Sequence, residues 1–495
     1  MILSKLNNLE LLRKKYPTKI IGLCHGVFDV LHDGHINHIN FAKTKCDILV
    51  VSITADSFVN KGPLQPYKKD TERSNILNSL KNVDYVYINF DFTPVKIIEA
   101  LRPNIYFKGL DYNNKKKDFS KNILREEKAV KKVKGILLIT KTPLKSSTNF
   151  LNKHLLNWKV DQKKYLIEVN KRYSFEDIIK IFDKINKETI NIIGETIIDE
   201  FKVADIVGLT SKESALSGII KKTFQTPGGA LAAALVASEF SNNINFFSYG
   251  KFKYFDKYLK NKKNIRFINL SSKSNVQIKT RYINFHRKQK IIQVSNFIKS
   301  NFSIQDQDKM IKILKNNKIK NLIICDFGSG LFESRFISFI NKSYFKKYLN
   351  VQSNSLNFGH NLFHKYKKKN LVYISLDEKE WCLGLNINPV SYNSVLANMN
   401  KNINSSITLG VNGSIYVNKS GINKCPVFIS NPVDTTGCGD AYFILTSLLK
   451  MVDCEPLLIP FLGNIYAGLY SRNIGNVVIK KDILLGNIKS LMNFS

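Results

Sequence analysis

Short apolar runs separated by longer segments of mixed polarity recur through this chain, and that alternation limits its fold more than any other feature. Segments 20–23, 48–53, 85–88, 105–107 and 136–139 read as strands, and 35–45 and 69–80 read as helices between them. Strands that alternate with helices imply a parallel sheet covered by helices on both faces. From 153 to 174 the chain turns polar and charged with no strand signal. A second set of strand candidates then begins at 190–194 and continues at 244–249, 322–325, 371–374 and 406–409, and 437–450 reads as a glycine-started helix. A chain of 495 residues exceeds one ordinary core. The expectation is therefore two α/β domains, 1–156 and 189–495, joined by a linker at 157–188.

Composition removes several function classes. The apolar fraction of 44% is globular. No run approaches the roughly 18 apolar residues that cross a bilayer. Residues 1–20 lack the apolar stretch of a secretory signal, so a cytoplasmic protein with no membrane partner is expected. The seven cysteines are odd in number and scattered, without CxxC spacing. Neither a disulfide framework nor a thiolate zinc site is indicated. The net charge of +36 has two readings. One is a nucleic-acid partner; the other is lysine dispersed over solvated faces. Clusters such as Lys115-Lys116-Lys117 form no stripe interleaved with aromatics, so no specific nucleic-acid partner is expected.

Four of the eight histidines, His25, His32, His35 and His38, fall in one short stretch. A strand runs into Gly26, the loop Val27-Phe28-Asp29 follows, and a helix begins near Gly34. N–H groups at a helix N-terminus form an anion site, and glycine lets phosphate approach closely. His32 and His35 would add donors where negative charge grows on phosphorus. The spacing of His32, His35 and His38 also admits a metal site, although cysteine and clustered carboxylate partners are lacking. Incidental surface histidine is the third reading.

Gly26-Val27-Phe28-Asp29 followed by His32-Asp33-Gly34-His35 resembles the signature of the cytidylyltransferase-like nucleotidyltransferases. Lys61-Gly62-Pro63, Glu72-Arg73, Lys108-Gly109-Leu110-Asp111-Tyr112 and Ser146-Ser147-Thr148-Asn149 follow in that family's order, so the resemblance covers about 1–156. It implies a Rossmann-like domain in which a sugar-phosphate oxygen attacks the α-phosphorus of a nucleoside triphosphate and pyrophosphate leaves. It implies that His32 and His35 stabilise the pentacovalent charge. Gly26, Phe28, Asp29, Gly34 and Gly109 would lie at the nucleotide. Lys61, Arg73 and Lys108 are candidate phosphate ligands, and Ser146, Ser147 and Thr148 would close on the nucleotide phosphates. The nearer likeness is to the heptose adenylyltransferases, which favours ATP. Glycerol-3-phosphate cytidylyltransferases are a more distant likeness, which keeps CTP as the alternative.

In the second half, Asp434-Thr435-Thr436-Gly437-Cys438-Gly439-Asp440-Ala441 precedes an apolar helix. Gly437, Cys438 and Gly439 can point consecutive amides at one anion, and Asp440 beside it suits accepting a hydroxyl proton. A glycine turn with an acidic helix-capping residue is the competing reading. The string resembles the C-terminal signature of the ribokinase-like (PfkB) sugar kinases, with Cys438 where alanine is usual. This second resemblance covers about 190–479 and implies a ribokinase-like α/β domain. It implies Asp440 as catalytic base, Asp199, Gly228, Gly229, Lys279, Arg281 and Asp326 on the sugar side, and Thr408, Gly410 and Gly413 on the nucleotide side. Glu380 would order Mg²⁺, in a motif where Asp377 replaces the usual asparagine. The family's asparagine after the diglycine is Ala232 here.

Together the resemblances imply a bifunctional enzyme of nucleotide-sugar synthesis that uses sugar phosphates, nucleoside triphosphates and Mg²⁺. The heptose enzymes carry the kinase first; this order is reversed. A homodimer or higher oligomer is expected.

Overall fold

The computed structural model describes residues 1–3, 5–59, 62, 66–109, 122–140, 158–272, 275–296, 299–388, 390–429 and 432–493. The chain divides into two compact α/β units, Met1–Trp158 with Leu485–Ser495, and Lys159–Leu484.

The first unit is built on strands β1 (Ile2–Leu3), β2 (Ile21–Gly26), β3 (Ile48–Thr54), β4 (Tyr85–Asn89), β5 (Ile105–Lys108) and β6 (Ile136–Ile139). They form one parallel sheet in the order β1-β4-β3-β2-β5-β6. Every residue of β3 is buried, because both faces of the sheet are covered. Ile48 and Val50 point into a core with Leu9, Leu12, Ile97, Leu101 and Val130, whereas Leu49 and Val51 pack with Ile39, Ala42 and Leu77. Strand order reverses between β2 and β5. In parallel α/β sheets the carboxyl ends of strands at such a switch point leave a crevice.

The second unit has a nine-stranded sheet and a separate four-stranded one. Its strands are β7 (Thr189–Gly194), β8 (Thr196–Leu209), β9 (Leu216–Gly228), β10 (Asn243–Ser248), β11 (Ile265–Asn269), β12 (Gln277–Asn284), β13 (Lys290–Ser295), β14 (Asn321–Asp326), β15 (Lys346–Val351), β16 (Leu371–Asp377), β17 (Asn404–Thr408), β18 (Ser414–Asn418) and β19 (Gly421–Cys425). The large sheet runs β11-β10-β7-β14-β15-β16-β17-β18-β19 and is parallel up to β17. Helices Gly229–Ala237 and Leu458–Tyr470 and most of Cys438–Met451 are buried almost all round, as helices do in the middle of a large core. The small sheet runs β13-β12-β8-β9.

Two expectations need correction. The segment 157–188 contains no open linker among its described residues. Val160–Arg172 and Phe175–Lys187 are helices that belong to the second unit. Their polar composition hides apolar stripes: Tyr165, Leu166 and Val169 are buried in the first, Ile178, Phe182 and Ile185 in the second. Tyr165 donates to the Leu457 carbonyl at 2.7 Å, and Phe182 stacks on Phe240 with centroids 5.5 Å apart. Secondly, Leu485–Ser495 group with the first unit. Helix Lys481–Met492 buries Leu484, Leu485, Ile488 and Leu491, and an amphipathic pattern does not say which core will cover it.

Candidate functional sites

In the first unit β2 ends at Gly26, and the chain turns through Phe28 with φ 50° into helix Asp33–Lys43. A phenylalanine in the left-handed region is strained and persists only where its surroundings hold it. Two buried side chains supply that hold. Asp29 accepts from the amides of Tyr67 and Lys68 at 2.7 and 2.9 Å. Arg73 donates to the carbonyls of Val27, Thr54 and Lys68 and pairs with Asp56 at 2.6 Å.

His32 caps the helix, its Nδ1 accepting from the Gly34 amide at 3.1 Å. That bond puts the proton of a neutral imidazole on Nε2. His35, one turn on, stacks on His32 with ring centroids 4.0 Å apart. The pair thus stands at a helix N-terminus beside the β2–β5 switch point, where an anion is favoured. His38 faces inward, bonded to Thr140 Oγ1 at 2.9 Å, and burial pulls its imidazole down to about 4. Among the described residues no His, Cys, Asp or Glu cluster could hold a metal, so the metal reading of this stretch gains no support.

The phosphate-ligand expectation fails for Arg73. Arg73 is 1% exposed, and its guanidinium donates to the carbonyls of Lys68, Val27 and Thr54 and to Asp56. Lys108 is buried as well, its ammonium 2.9 Å from the Glu126 carboxylate, which also accepts from Tyr106 at 3.0 Å. Gly109 follows directly at the end of β5. Lys61, Ser146, Ser147 and Thr148 lie outside the described residues.

In the second unit Asn350, Gln352, Asp377, Glu380, Thr408, Thr435, Gly437, Gly439 and Asp440 line a cavity of about 280 Å³. Gly437 caps helix Cys438–Met451 at φ 74°, where a Cβ would strike the side chain of Asn476. A Cβ on Gly439 would meet nothing, so packing does not demand that glycine. Asp440 is partly buried and accepts from Gln352 Nε2 at 2.7 Å. Burial pushes its carboxyl up to about 7, opposed by Lys279 and reinforced by Asp199. Glu380 is pushed up to about 8 by burial, with Asp377 and Asp440 adding to it. Asp377 and Glu380 form a helix capping box, each accepting from the other's amide. Carboxylates raised in one cavity favour a cation that displaces their protons. Mg²⁺ keeps waters and phosphate oxygens among its ligands, which fits a site with few protein carboxylates. Gly410 and Gly413, at φ 56° and 89°, shape the turn after Thr408. The Cys438 thiol is pushed up to about 12 by burial and by Asp434 and Asp440, so it is not a thiolate nucleophile.

The sugar-side expectations separate into two groups. Asp199 of β8 ion-pairs with Arg281 of β12, and Lys279 is Asp199's register partner on β12. Lys279 is buried, and burial pulls its ammonium down while Asp199 opposes the fall. A Cβ at Gly228 would lie 2.4 Å from Asp199 Oδ2, and one at Gly229 2.5 Å from the Glu195 carbonyl, which accounts for the diglycine. Asp326 stands apart. It is fully buried and bonded to Tyr366 at 2.7 Å, Lys365 at 2.6 Å, Asn361 at 3.1 Å and the Gly328 amide at 3.0 Å, which makes it a structural hub. Ala232 is buried inside helix Gly229–Ala237. Gln352, Lys290 and Asn476 were not expected. No motif flags them, because each is a single polar residue distant in sequence from its partner.

Residues 23–153 match the Cytidylyltransferase-like family. The bifunctional protein HldE of Campylobacter fetus subsp. fetus (strain 82-40) is 38% identical over 146 residues, 29% of this chain and 30% of that protein. HldE of Helicobacter pylori (strain ATCC 700392 / 26695) is 39% identical over 113 residues, 22% of this chain and 24% of that protein. The chain thus spans under a third of the length of these curated relatives. Phosphofructokinase-2 from Escherichia coli, solved with substrates and products, is similar with a TM-score of 0.48 and 12% identity, over 60% of this chain and 97% of that one. Arabidopsis thaliana ribokinase complexed with ribose and ATP is similar with a TM-score of 0.45 and 13% identity, over 62% and 99%. No helix among the described residues is long and apolar enough to cross a membrane.

Proposed function

We propose that this chain is a bifunctional transferase of nucleotide-sugar synthesis. The first unit transfers a nucleotidyl group, AMP rather than CMP, to a sugar 1-phosphate and releases pyrophosphate. The second phosphorylates a sugar or sugar phosphate of the heptose 7-phosphate kind with ATP and Mg²⁺. The observation that supports the reading is that each unit has a glycine-bearing turn at a helix N-terminus, a place that favours an anion, with different side chains beside it. One offers the stacked pair His32 and His35, the other a carboxylate near neutrality, Asp440. Imidazole donors suit charge that grows on a nucleotide phosphate. A base poised near 7 suits removal of a sugar hydroxyl proton. The two halves act on the same class of substrate, and a homodimer or higher oligomer in the cytoplasm is the proposed state.

The test is to supply the purified chain with Mg²⁺, ATP or CTP, and a panel of sugars, sugar phosphates and sugar 1-phosphates, following pyrophosphate and ADP separately. Both products are expected, each with its own acceptor. Pyrophosphate without ADP would favour a second reading, in which the transferase is active and the C-terminal unit is a sugar-binding or oligomerising module. Ala232 and the exposed apolar side chains Val207, Leu209, Leu216 and Ile219 on the four-stranded sheet favour that reading. Neither product would defeat both.

A further inference from the structure

Asp434 opens the anion loop, and its carboxylate is saturated with donors. Oδ1 accepts from Lys290 Nζ at 2.7 Å, Thr436 N at 3.0 Å and Thr436 Oγ1 at 2.8 Å; Oδ2 accepts from Gly475 N at 3.0 Å. The same ammonium donates to Thr436 Oγ1 at 2.5 Å. Lys290 is foreign to the loop. It begins β13, the edge strand of the small sheet that carries Asp199, Lys279 and Arg281. The β12–β13 register shifts there: Ile283 pairs with Lys290 but Tyr282 with Ile292, leaving Ile291 as the extra residue of a bulge. Bulges at sheet edges re-aim side chains. On the other side Asn476, next to Gly475, donates from Nδ2 to Asp199 Oδ2 at 2.6 Å, and Asp199 holds Arg281. A closed circuit therefore runs from Arg281 through Asp199, Asn476, Gly475, Asp434 and Lys290 back to β12.

An exposed lysine–carboxylate pair contributes little, but this one is half inside. The Asp434 side chain is 5% exposed and that of Lys290 42%. Burial alone would raise the Asp434 carboxyl; Lys290, Gly475 and Thr436 hold it below its ordinary value. Removing the ammonium leaves a buried charge short of its counter-ion at the root of the loop that presents Gly437 and Asp440.

We propose that Lys290 is a positioning residue for phosphoryl transfer, latching the sheet that carries the sugar-side residues to the anion loop through Asp434 and Thr436. The proposal rests on the kinase reading. In that step the sugar oxygen bonds to the γ-phosphorus, the bond from that phosphorus to the β–γ bridging oxygen breaks, the hydroxyl proton passes to Asp440, and ADP leaves. The latch makes the loop's phosphate-holding shape depend on docking of the sugar-side sheet. Without it, ATP reaches a loosened site and water competes with the sugar.

The full chain, Lys290→Met and Lys290→Arg are compared in two measurements. The first is amide hydrogen exchange over 436–441, with 48–54 as an internal control. The second is turnover of ATP and Mg²⁺ with whichever panel sugar phosphate the wild type uses, scored as transfer and as hydrolysis to water. Lys290→Met is expected to speed exchange in the loop and lower kcat by roughly 10-fold, the scale of one hydrogen bond to a charged group. It should raise the hydrolysis-to-transfer ratio and leave 48–54 unchanged. Millimolar methylammonium should restore both readouts in Lys290→Met, and Lys290→Arg should retain most of them. Unaltered exchange and kcat in Lys290→Met would overturn the latch. So would losses that methylammonium and arginine both fail to repair, since that pattern belongs to a packing role. If the wild type turns over no sugar but loop exchange responds as expected, the latch stands and the kinase reading falls.

Discussion

The two helix starts proposed as anion sites differ in what their neighbourhoods do with basic and acidic side chains. In the first unit two of the described cations are engaged by the protein itself: Arg73 donates to the carbonyls of Val27 and Thr54, and Lys108 pairs with Glu126. Around Gly437 the acids are left partly uncompensated, so Asp440 and Glu380 rise toward neutrality. The first site, as proposed, puts a stacked imidazole pair at its helix N-terminus while Arg73 and Lys108 stay buried. The second gathers carboxylates in one cavity, where burial makes them more basic, as a proton acceptor requires. The two helix starts differ in backbone as well, an extended His32 with a side-chain cap in one and a left-handed Gly437 without one in the other.

The sharpest way to break this contrast is Asp440→Asn, which keeps shape and removes basicity. Phosphoryl transfer should fall by about 10³-fold, within the usual range for general-base loss. Pyrophosphate release by the first unit should be unchanged. Turnover equal to wild type would place the base elsewhere. The matching change, His35→Ala, should cut pyrophosphate release by about 10²-fold, the scale for one transition-state donor, and spare ADP formation. Equal loss in both assays would mean that the sites are not chemically separate.

Arg73→Met sharpens the claim that this cation is structural. It orphans the carbonyls of Val27 and Thr54 and should destabilise the first unit by about 3 kcal/mol in denaturant unfolding. A raised KM for nucleotide with unaltered stability would return Arg73 to the phosphate.

A further contrast between the units lies in pH dependence. Asp440 and Glu380 hold protons in the folded state, near 7 and 8, that the unfolded chain releases near 4. Between those values the native state binds more protons, so their contribution is complete below about 4 and is lost as pH rises through 7 to 8. His38 works the other way. Its imidazole is held at about 4 against an ordinary 6.5, so its contribution is present above 6.5 and is lost as pH falls toward 4. Raising pH from 5 to 8 should therefore weaken the second unit and strengthen the first, read by exchange protection in each. Asp440→Asn and Glu380→Gln should flatten the first trend, and His38→Gln the second. Parallel trends in the two units would defeat the assignment.

Much of this was legible in the chain. The buried strands announced themselves as apolar runs, and both anion loops as glycine and histidine or aspartate strings at a strand-to-helix junction. The four-stranded sheet did not. β9 runs thirteen residues with Lys221, Lys222 and Gln225 among them and is largely exposed, so it has no apolar run to read. The helices from Val160 to Lys187 were hidden likewise, their buried stripes diluted by lysine and glutamate.

Local order thus determined the buried strands, the α/β class and the two glycine-bearing turns, because strand burial, helix starts and glycine turns depend on neighbours within a few residues. Only the tertiary structure decided which charges act. Arg73 reaches Val27 across 46 positions, Lys290 reaches Asp434 across 144, and Asn476 reaches Asp199 across 277. A lysine or arginine reads the same in sequence whether it will meet a phosphate, a buried carbonyl or a carboxylate. Its role is set by burial and by which partner the fold brings within about 3 Å, and no short-range pattern encodes that.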